Sequence, residues 1–134
     1  MKTLIYLISL IIVAYSCKSS SNQENIKVPE NLEGLEMHYT YSGGNEYAVK
    51  FEKDGMSYQF KTGGKPNKWW GKFPYNCMKT ENNEYFVSWF EKGYGDYVTL
   101  LVNYDQNILY GSAIIRGEIV HFQKAKIEQV ILLE

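Results

Sequence analysis

The chain has 134 residues, a length that favours one domain, and its 14 Lys and Arg residues nearly balance 15 Asp and Glu. This balance argues against a nucleic-acid partner, because proteins that bind phosphates electrostatically carry a basic stripe. Aromatic residues make up 16% of the chain, with 12 Tyr, 6 Phe and 3 Trp. Since such side chains favour pleated, half-buried surfaces, the composition predicts β-structure.

Residues 1–16 predict a signal for export. Lys2 gives a positive start, and an almost unbroken apolar run extends from Leu4 to Val13. This run is shorter than the roughly 20 residues of a membrane-spanning helix, so it is typical of a secretory signal peptide. Ala14-Tyr15-Ser16-Cys17 is similar to a bacterial lipobox. It predicts that Cys17 is lipidated and anchors the protein in the bacterial cell envelope, on the periplasmic face. An uncleaved anchor or an ordinary signal peptide is the alternative.

Residues 17–33 are polar and contain Pro29, which predicts a flexible linker before a folded domain that spans residues 34–134. With Cys17 acylated, Cys77 has no disulfide partner and is predicted to be a small, buried apolar residue. His38 and His121 are isolated, and no Cys/His cluster has the spacing of metal ligands. We therefore expect no metal site.

From Gly34 onward, apolar and polar residues alternate with the period of half-buried strands. Turn sequences such as Gly43-Gly44 and Asp54-Gly55 separate the alternating segments. The predicted strands cover residues 35–41, 46–51, 56–60, 68–73, 83–91, 97–104, 108–115, 118–124 and 127–133. Eight or nine short strands joined by short turns predict an all-β, antiparallel up-and-down barrel. The interior of such a barrel holds either packed side chains or one small ligand, and both alternatives remain open.

The strand that ends at Glu91 carries the strongest indication of a site. Tyr85, Val87, Trp89 and Glu91 share one face, because alternate residues of a strand point the same way. If the aromatic residues face the interior, Glu91 faces it too, where the strand ends. Burial raises the pKa of such a carboxyl group unless a cation lies beside it.

Two tyrosines and a lysine could complete this site. Tyr39 and Tyr41 share the apolar face of the first strand, so their phenols could converge inside the barrel and hold a carboxylate. Lys68 lies at a loop–strand junction, from which it could reach the rim and form an ion pair with Glu91. This pair would keep Glu91 ionised, whereas an apolar wall alone would favour the neutral acid. The alternative is a solvated Lys68 and a Glu91 that caps the turn at Gly93.

Three segments together carry a family resemblance: Tyr39-Thr40-Tyr41, the segment from Gly64 to Trp69, and Tyr85-Phe86-Val87-Ser88-Trp89-Phe90-Glu91. They resemble the bacterial phenolic acid decarboxylases and the related MoaF-like domains. The resemblance implies a small lipocalin-like (calycin) barrel. For the decarboxylases it also implies a reaction on para-hydroxycinnamic acids that uses no cofactor.

The resemblance also implies roles for four residues. Tyr39 and Tyr41 match the tyrosine pair that grips the substrate carboxylate, and Glu91 matches the glutamate that acts on the substrate. Lys68 stands where the decarboxylases have an arginine. Lysine lacks the planar, bidentate fork that arginine offers a carboxylate, so this difference favours binding over decarboxylation.

Three functions follow as hypotheses. The first is a lipid-anchored barrel that binds a small aromatic or carboxylated molecule, with these ligand contacts: Tyr39, Tyr41, Lys68, Trp69, Trp89 and Glu91. The second is a cofactor-free carboxy-lyase with these catalytic residues: Glu91, Lys68, Tyr39 and Tyr41. The third is a structural or interaction lipoprotein. The expected partners are a small molecule and, through the lipid, a membrane; a homodimer is a further possibility.

Overall fold

The computed structural model describes residues 30–134, which form nine β-strands and no helix. The strands are β1 (Leu35–Tyr41), β2 (Glu46–Glu52), β3 (Gly55–Phe60), β4 (Trp69–Phe73), β5 (Tyr75–Glu81), β6 (Glu84–Glu91), β7 (Asp96–Asn103), β8 (Ile108–Ile115) and β9 (Ile119–Leu132). The all-β prediction is confirmed. The predicted signal peptide, Cys17 and the linker before Glu30 lie outside the described residues. Among residues 30–134, no helix is long and apolar enough to cross a membrane.

The strands form one antiparallel sheet that curls into a nearly closed barrel. Their spatial order is β4-β3-β2-β1-β9-β8-β7-β6-β5, so the pairing of β1 with β9 joins the two ends of the described chain. The consecutive strands β4 and β5 are the two edges of the sheet and border the seam of the barrel. Pro74 alone separates them. One residue is too short for a hairpin loop, which explains why the predicted meander is not fully closed.

Strand β5 lies in a segment where the sequence pattern predicts no strand. Its apolar Met78 points outward and is 61% exposed, while the inward side carries the half-buried Tyr75, Cys77 and Lys79. A strand at the edge of the sheet buries less of its inner face than a central strand. A charged inward residue and an apolar outward residue hide the alternation that identifies the other strands.

Strand β9 unites the two predicted segments 118–124 and 127–133. Its register against β1 shifts by one residue, because His38 pairs with Gln129 while Tyr39 pairs with Ile127. Before this β-bulge, the odd-numbered residues Ala125 and Ile127 face the interior. After it, the even-numbered Val130 does. A bulge inserts one extra residue into a continuous strand, and in the sequence it has the appearance of a strand end.

The interior has a packed half and an open half. Fully buried apolar side chains, among them Leu35, Phe51 and Val87, fill the end of the barrel at which β1 begins. Leu32 belongs to this core and is 0% exposed, although it precedes β1. The packed domain therefore includes a residue from the predicted linker of residues 17–33 and begins before the predicted boundary at Gly34.

Candidate functional site

The open half of the barrel encloses a cavity of about 380 Å³. This volume lies within the range of small-molecule pockets, roughly 300–1,000 Å³. Six aromatic side chains form much of its wall: Tyr39, Tyr41, Tyr47, Tyr58, Phe60 and Trp89. The alternative of an interior packed with rings throughout therefore does not hold for this half of the barrel.

The phenols of β1 and β2 form one cluster. The ring of Tyr39 lies edge-on to that of Tyr41, with centroids 5.3 Å apart, and is stacked with that of Tyr47 at 5.7 Å. Burial raises the pKa of Tyr39 well above 10 and the pKa of Tyr41 to about 12. Both phenols are consequently neutral near pH 7 and able to donate hydrogen bonds.

Gly111 of β8 leaves the space that the Tyr41 phenol occupies. A Cβ atom at position 111 would lie 2.6 Å from the Tyr41 hydroxyl oxygen, which is closer than real Cβ contacts allow. The Leu100 side chain would also lie 3.3 Å from this Cβ atom. Because position 111 carries no side chain, the Tyr41 phenol of β1 can reach across the interior to β8.

Glu91 is the most deeply buried charged residue at the cavity, with only 3% of its surface exposed. The indole N–H of Trp89 donates to Oε1 at 3.0 Å, and the Tyr58 hydroxyl donates to Oε2 at 3.0 Å. Burial raises the pKa of Glu91, and the nearby Asp96 adds to this effect, while the two hydrogen bonds oppose it. Within residues 30–134, no Lys, Arg or His forms an ion pair with Glu91.

The raised pKa of Glu91 predicts a characteristic dependence of stability on pH. Between the ordinary value of 4.5 and the raised folded value, the unfolded chain releases this proton while the folded protein keeps it. The folded state then binds more protons, so the free energy of unfolding falls as the pH rises through this window. Glu91→Gln removes the titrating group. We therefore expect the stability of the natural protein, relative to this variant, to fall over that window and to level off above it.

Urea unfolding of both proteins between about pH 4 and pH 8 measures this difference. Asp96 and the other carboxyl groups are present in both proteins, so the difference isolates the contribution of Glu91. A difference that stays flat, or that rises with pH, would contradict the buried placement of this carboxyl group.

The structure brings together four of the six predicted contact residues and leaves two outside. Tyr39, Tyr41, Trp89 and Glu91 line the cavity. The Lys68 ammonium instead lies 3.8 Å from the centroid of the Trp70 ring, and the predicted Lys68–Glu91 ion pair is not formed. This cation–π contact is available locally, because the ring belongs to the second residue after Lys68.

Trp69 lies on the outer side of the barrel. In the register of β3 and β4 it pairs with Gln59, whereas Trp70 pairs with the inward-facing Tyr58. Adjacent residues of a strand point to opposite faces, so these two tryptophans do as well. The Lys50 ammonium lies 4.7 Å from the centroid of the Trp69 ring.

Several cavity residues are absent from the sequence-based prediction, and Tyr58 is the most consequential. Its alternation with Met56 and Phe60 indicates an inward side chain, but its partner Glu91 is 33 residues away. Strand parity gives the face of a residue and not its partner across the barrel. Asp96, His121 and Gln123 also line the cavity.

The described chain shows no arrangement suited to a metal ion. Among residues 30–134, no group of three or more His, Cys, Asp or Glu residues is placed to hold one. His38 contacts Glu36, with Nε2 2.6 Å from Oε1. Cys77 is half-buried against the core, and burial raises the pKa of its thiol.

Comparison with known proteins supports the fold and no particular activity. No protein-family model matches the chain, and no curated protein matches it either. Among solved structures, it is similar to a protein from Burkholderia vietnamiensis whose crystal structure is described as that of a putative beta-lactamase. The TM-score is 0.63 at 15% sequence identity, over 72% of this chain and 93% of that one. At this identity, the similarity shows a shared, nearly closed antiparallel barrel.

Proposed function

We propose that this barrel binds a small, mainly aromatic molecule in its interior cavity. The observation that carries the proposal is the cavity of about 380 Å³, walled by six aromatic side chains and with the buried Glu91 among its lining residues. Pockets for small molecules combine an apolar wall with a few convergent polar groups. Here the rings supply the wall, and the carboxyl group and phenols supply the polar contacts.

The arrangement of the rings suits a flat, aromatic ligand. Tyr39 and Tyr47 are nearly parallel, with 7° between their planes, while Tyr41 stands at 86° to Tyr39. A bound ring would therefore meet both faces and edges of aromatic side chains, the two geometries that aromatic pairs prefer. Each such pair contributes about 0.5–1.5 kcal/mol beyond the burial of its area.

Tryptophan fluorescence tests the proposal, because Trp89 lines the cavity and donates its indole N–H to Glu91. We expect tyrosol, a neutral phenol, to change the emission of the purified domain with saturation. In the Trp89→Phe variant, the same fluorescence titration should lose most of this change. A separate calorimetric titration of this variant should still show that tyrosol binds. If neither tyrosol nor charged phenols of similar size bind, the proposal fails.

A carboxy-lyase is a second candidate, favoured by one observation. Tyr39, Tyr41 and Glu91 line a single cavity, as the resemblance to phenolic acid decarboxylases would require. Lys68 lies against Trp70 instead of joining them. Incubation with para-hydroxycinnamic acid, followed by absorbance and by release of carbon dioxide, tests this reaction. Unchanged substrate that is demonstrably bound would exclude it.

We also propose that a lipid on Cys17 holds the barrel at the bacterial envelope, exposed to the periplasm. The support is the sequence alone: Lys2, the apolar run from Leu4 to Val13, and the lipobox-like end at Cys17. Cys17→Ser should abolish the incorporation of a labelled fatty acid into the protein. Equal labelling of the variant, or no labelling of the natural protein, would contradict a lipid anchor.

A further inference from the structure

We infer that the ligand of this cavity is an organic cation, in which an ammonium group is joined to an aromatic ring. This inference rests on the proposed function and names the ligand class. Of the aromatic or carboxylated ligands that the sequence predicts, it keeps the aromatic ring and replaces the carboxylate by a cation. Its basis is the charge, the hydrogen-bonding groups and the rings at the cavity.

The carboxyl groups at the cavity have no internal counter-ion. Glu91 and Asp96 are directly opposite each other in the register of β6 and β7, and both line the cavity. No Lys or Arg residue is among the lining residues of the described chain. Like charges opposite each other in a sheet are unfavourable, and a cation between them converts the repulsion into attraction.

The cavity also has an acceptor oxygen without a partner. The amide oxygen Oε1 of Gln123 is buried at the cavity and has no hydrogen-bond partner. Asp96 accepts the backbone N–H of Arg116 through one oxygen, Oδ1, at 2.8 Å. An ammonium group carries three N–H donors and no acceptor, so a cavity with acceptor oxygens available suits it.

The rings favour a cation for a separate reason. Aromatic faces carry negative electrostatic potential and attract a cation within about 6 Å of the ring centroid, more strongly where water is excluded. Tyr39 and Trp89 are 4% and 5% exposed, so their rings are largely shielded from water. Tyr47 and Tyr58 complete a set of four electron-rich rings around the same space.

A carboxylated ligand would meet the opposite conditions. It would add a third anionic group beside Glu91 and Asp96 unless one of them first took up a proton. His121 could offset that charge, but it is an exposed residue at the cavity. The remaining donors are uncharged groups, such as the hydroxyls of Tyr39, Tyr41 and Ser112, and they do not neutralise an anion.

Three probes of nearly equal size separate ligand charge from ligand shape: tyramine, tyrosol and 4-hydroxyphenylacetate. They share a 4-hydroxyphenyl ring and end in an ammonium group, a hydroxyl group and a carboxylate, respectively. We expect calorimetric titration at neutral pH to give tyramine an affinity at least about tenfold above that of tyrosol, with the acid weakest. Added salt should weaken tyramine binding and leave tyrosol binding nearly unchanged.

Glu91→Gln should remove most of this preference. We expect the ratio of the tyramine affinity to the tyrosol affinity to fall about tenfold, because the substitution removes the charge that favours the ammonium group. Glu128→Gln is the matched control, because Glu128 is an exposed carboxylate on β9 whose side chain contacts Lys126. It removes the same charge from the protein and should change neither affinity.

Equal affinities of the natural protein for tyramine and tyrosol would overturn the inference and leave the proposed binding function standing. Tightest binding of 4-hydroxyphenylacetate would overturn it too. If none of the three probes binds, the proposed function itself fails, and the inference fails with it. The ratio of the first two affinities needs no variant, so the test does not depend on how Glu91→Gln folds.

Discussion

Ala113→Trp should lower the affinity of the barrel for tyrosol at least about 100-fold. Ala113 lies on β8 and lines the cavity, and its small side chain is one reason why this half of the barrel is open. An indole at this position would occupy the space that the ligand needs. The affinity measured by calorimetry tests this expectation, and circular dichroism checks that the barrel remains folded.

The neighbouring residue provides the control. Ile114 follows Ala113 on β8, points to the opposite face and is 41% exposed. Ile114→Trp adds the same indole to the outer surface and should leave the affinity within about twofold, because surface substitutions usually change little. Equal losses of binding in the two variants would show that the ligand does not enter the barrel.

Leu32→Ala should lower the free energy of unfolding by about 2–5 kcal/mol, the usual cost of truncating a fully buried leucine. Leu32 is 0% exposed and packs into the core from a position before β1. Removing most of its side chain leaves a void in the packed half, which the surrounding β-sheet can refill only in part. Urea unfolding measures the loss.

Leu132→Ala is the matched control for this substitution. Leu132 is the last residue of β9 and is 60% exposed, so the same truncation there should cost less than about 0.5 kcal/mol. Leu32 lies in the packed half of the interior and does not line the cavity. The folded Leu32→Ala variant should therefore retain tyrosol binding. A loss below about 1 kcal/mol would contradict the packing of Leu32 in the core.

Strand parity was sufficient to place several inward residues of the site. Tyr39, Tyr41 and Glu91 line the same cavity because each continues an alternation that begins with fully buried apolar residues. The same rule gives no information about residues in loops, and Lys68 lies just before β4. Its side chain lies against Trp70, a local contact that alternation does not predict.

The sequence pattern also does not predict which residues meet across the barrel. The hydrogen bond from Tyr58 to Glu91 joins β3 to β6, two strands that are not neighbours in the sheet. Such a contact depends on how far the sheet curls, a property of the whole barrel. The space that Gly111 leaves for the Tyr41 phenol depends on it in the same way.

The position of Lys68 changes the chemistry of the cavity. A lysine beside Glu91 would have neutralised the carboxylate and prepared the pocket for an acidic ligand. With Lys68 against Trp70, the cavity combines electron-rich rings with two carboxyl groups. If the ligand is a cation, as we infer, Tyr39, Tyr41 and Glu91 serve the opposite charge preference to the one that a decarboxylase needs.

The indole N–H signals in a two-dimensional ¹⁵N NMR spectrum offer the most direct test of binding inside the barrel. The protein has three tryptophans, and each gives one such signal. Trp89 lines the cavity, whereas Trp69 lies on the outer face and serves as an internal reference. We expect added tyrosol to shift the Trp89 signal progressively to saturation while the Trp69 signal stays in place. A Trp89 signal that does not move while tyrosol binds, or shifts confined to Trp69, would contradict a ligand site in the interior.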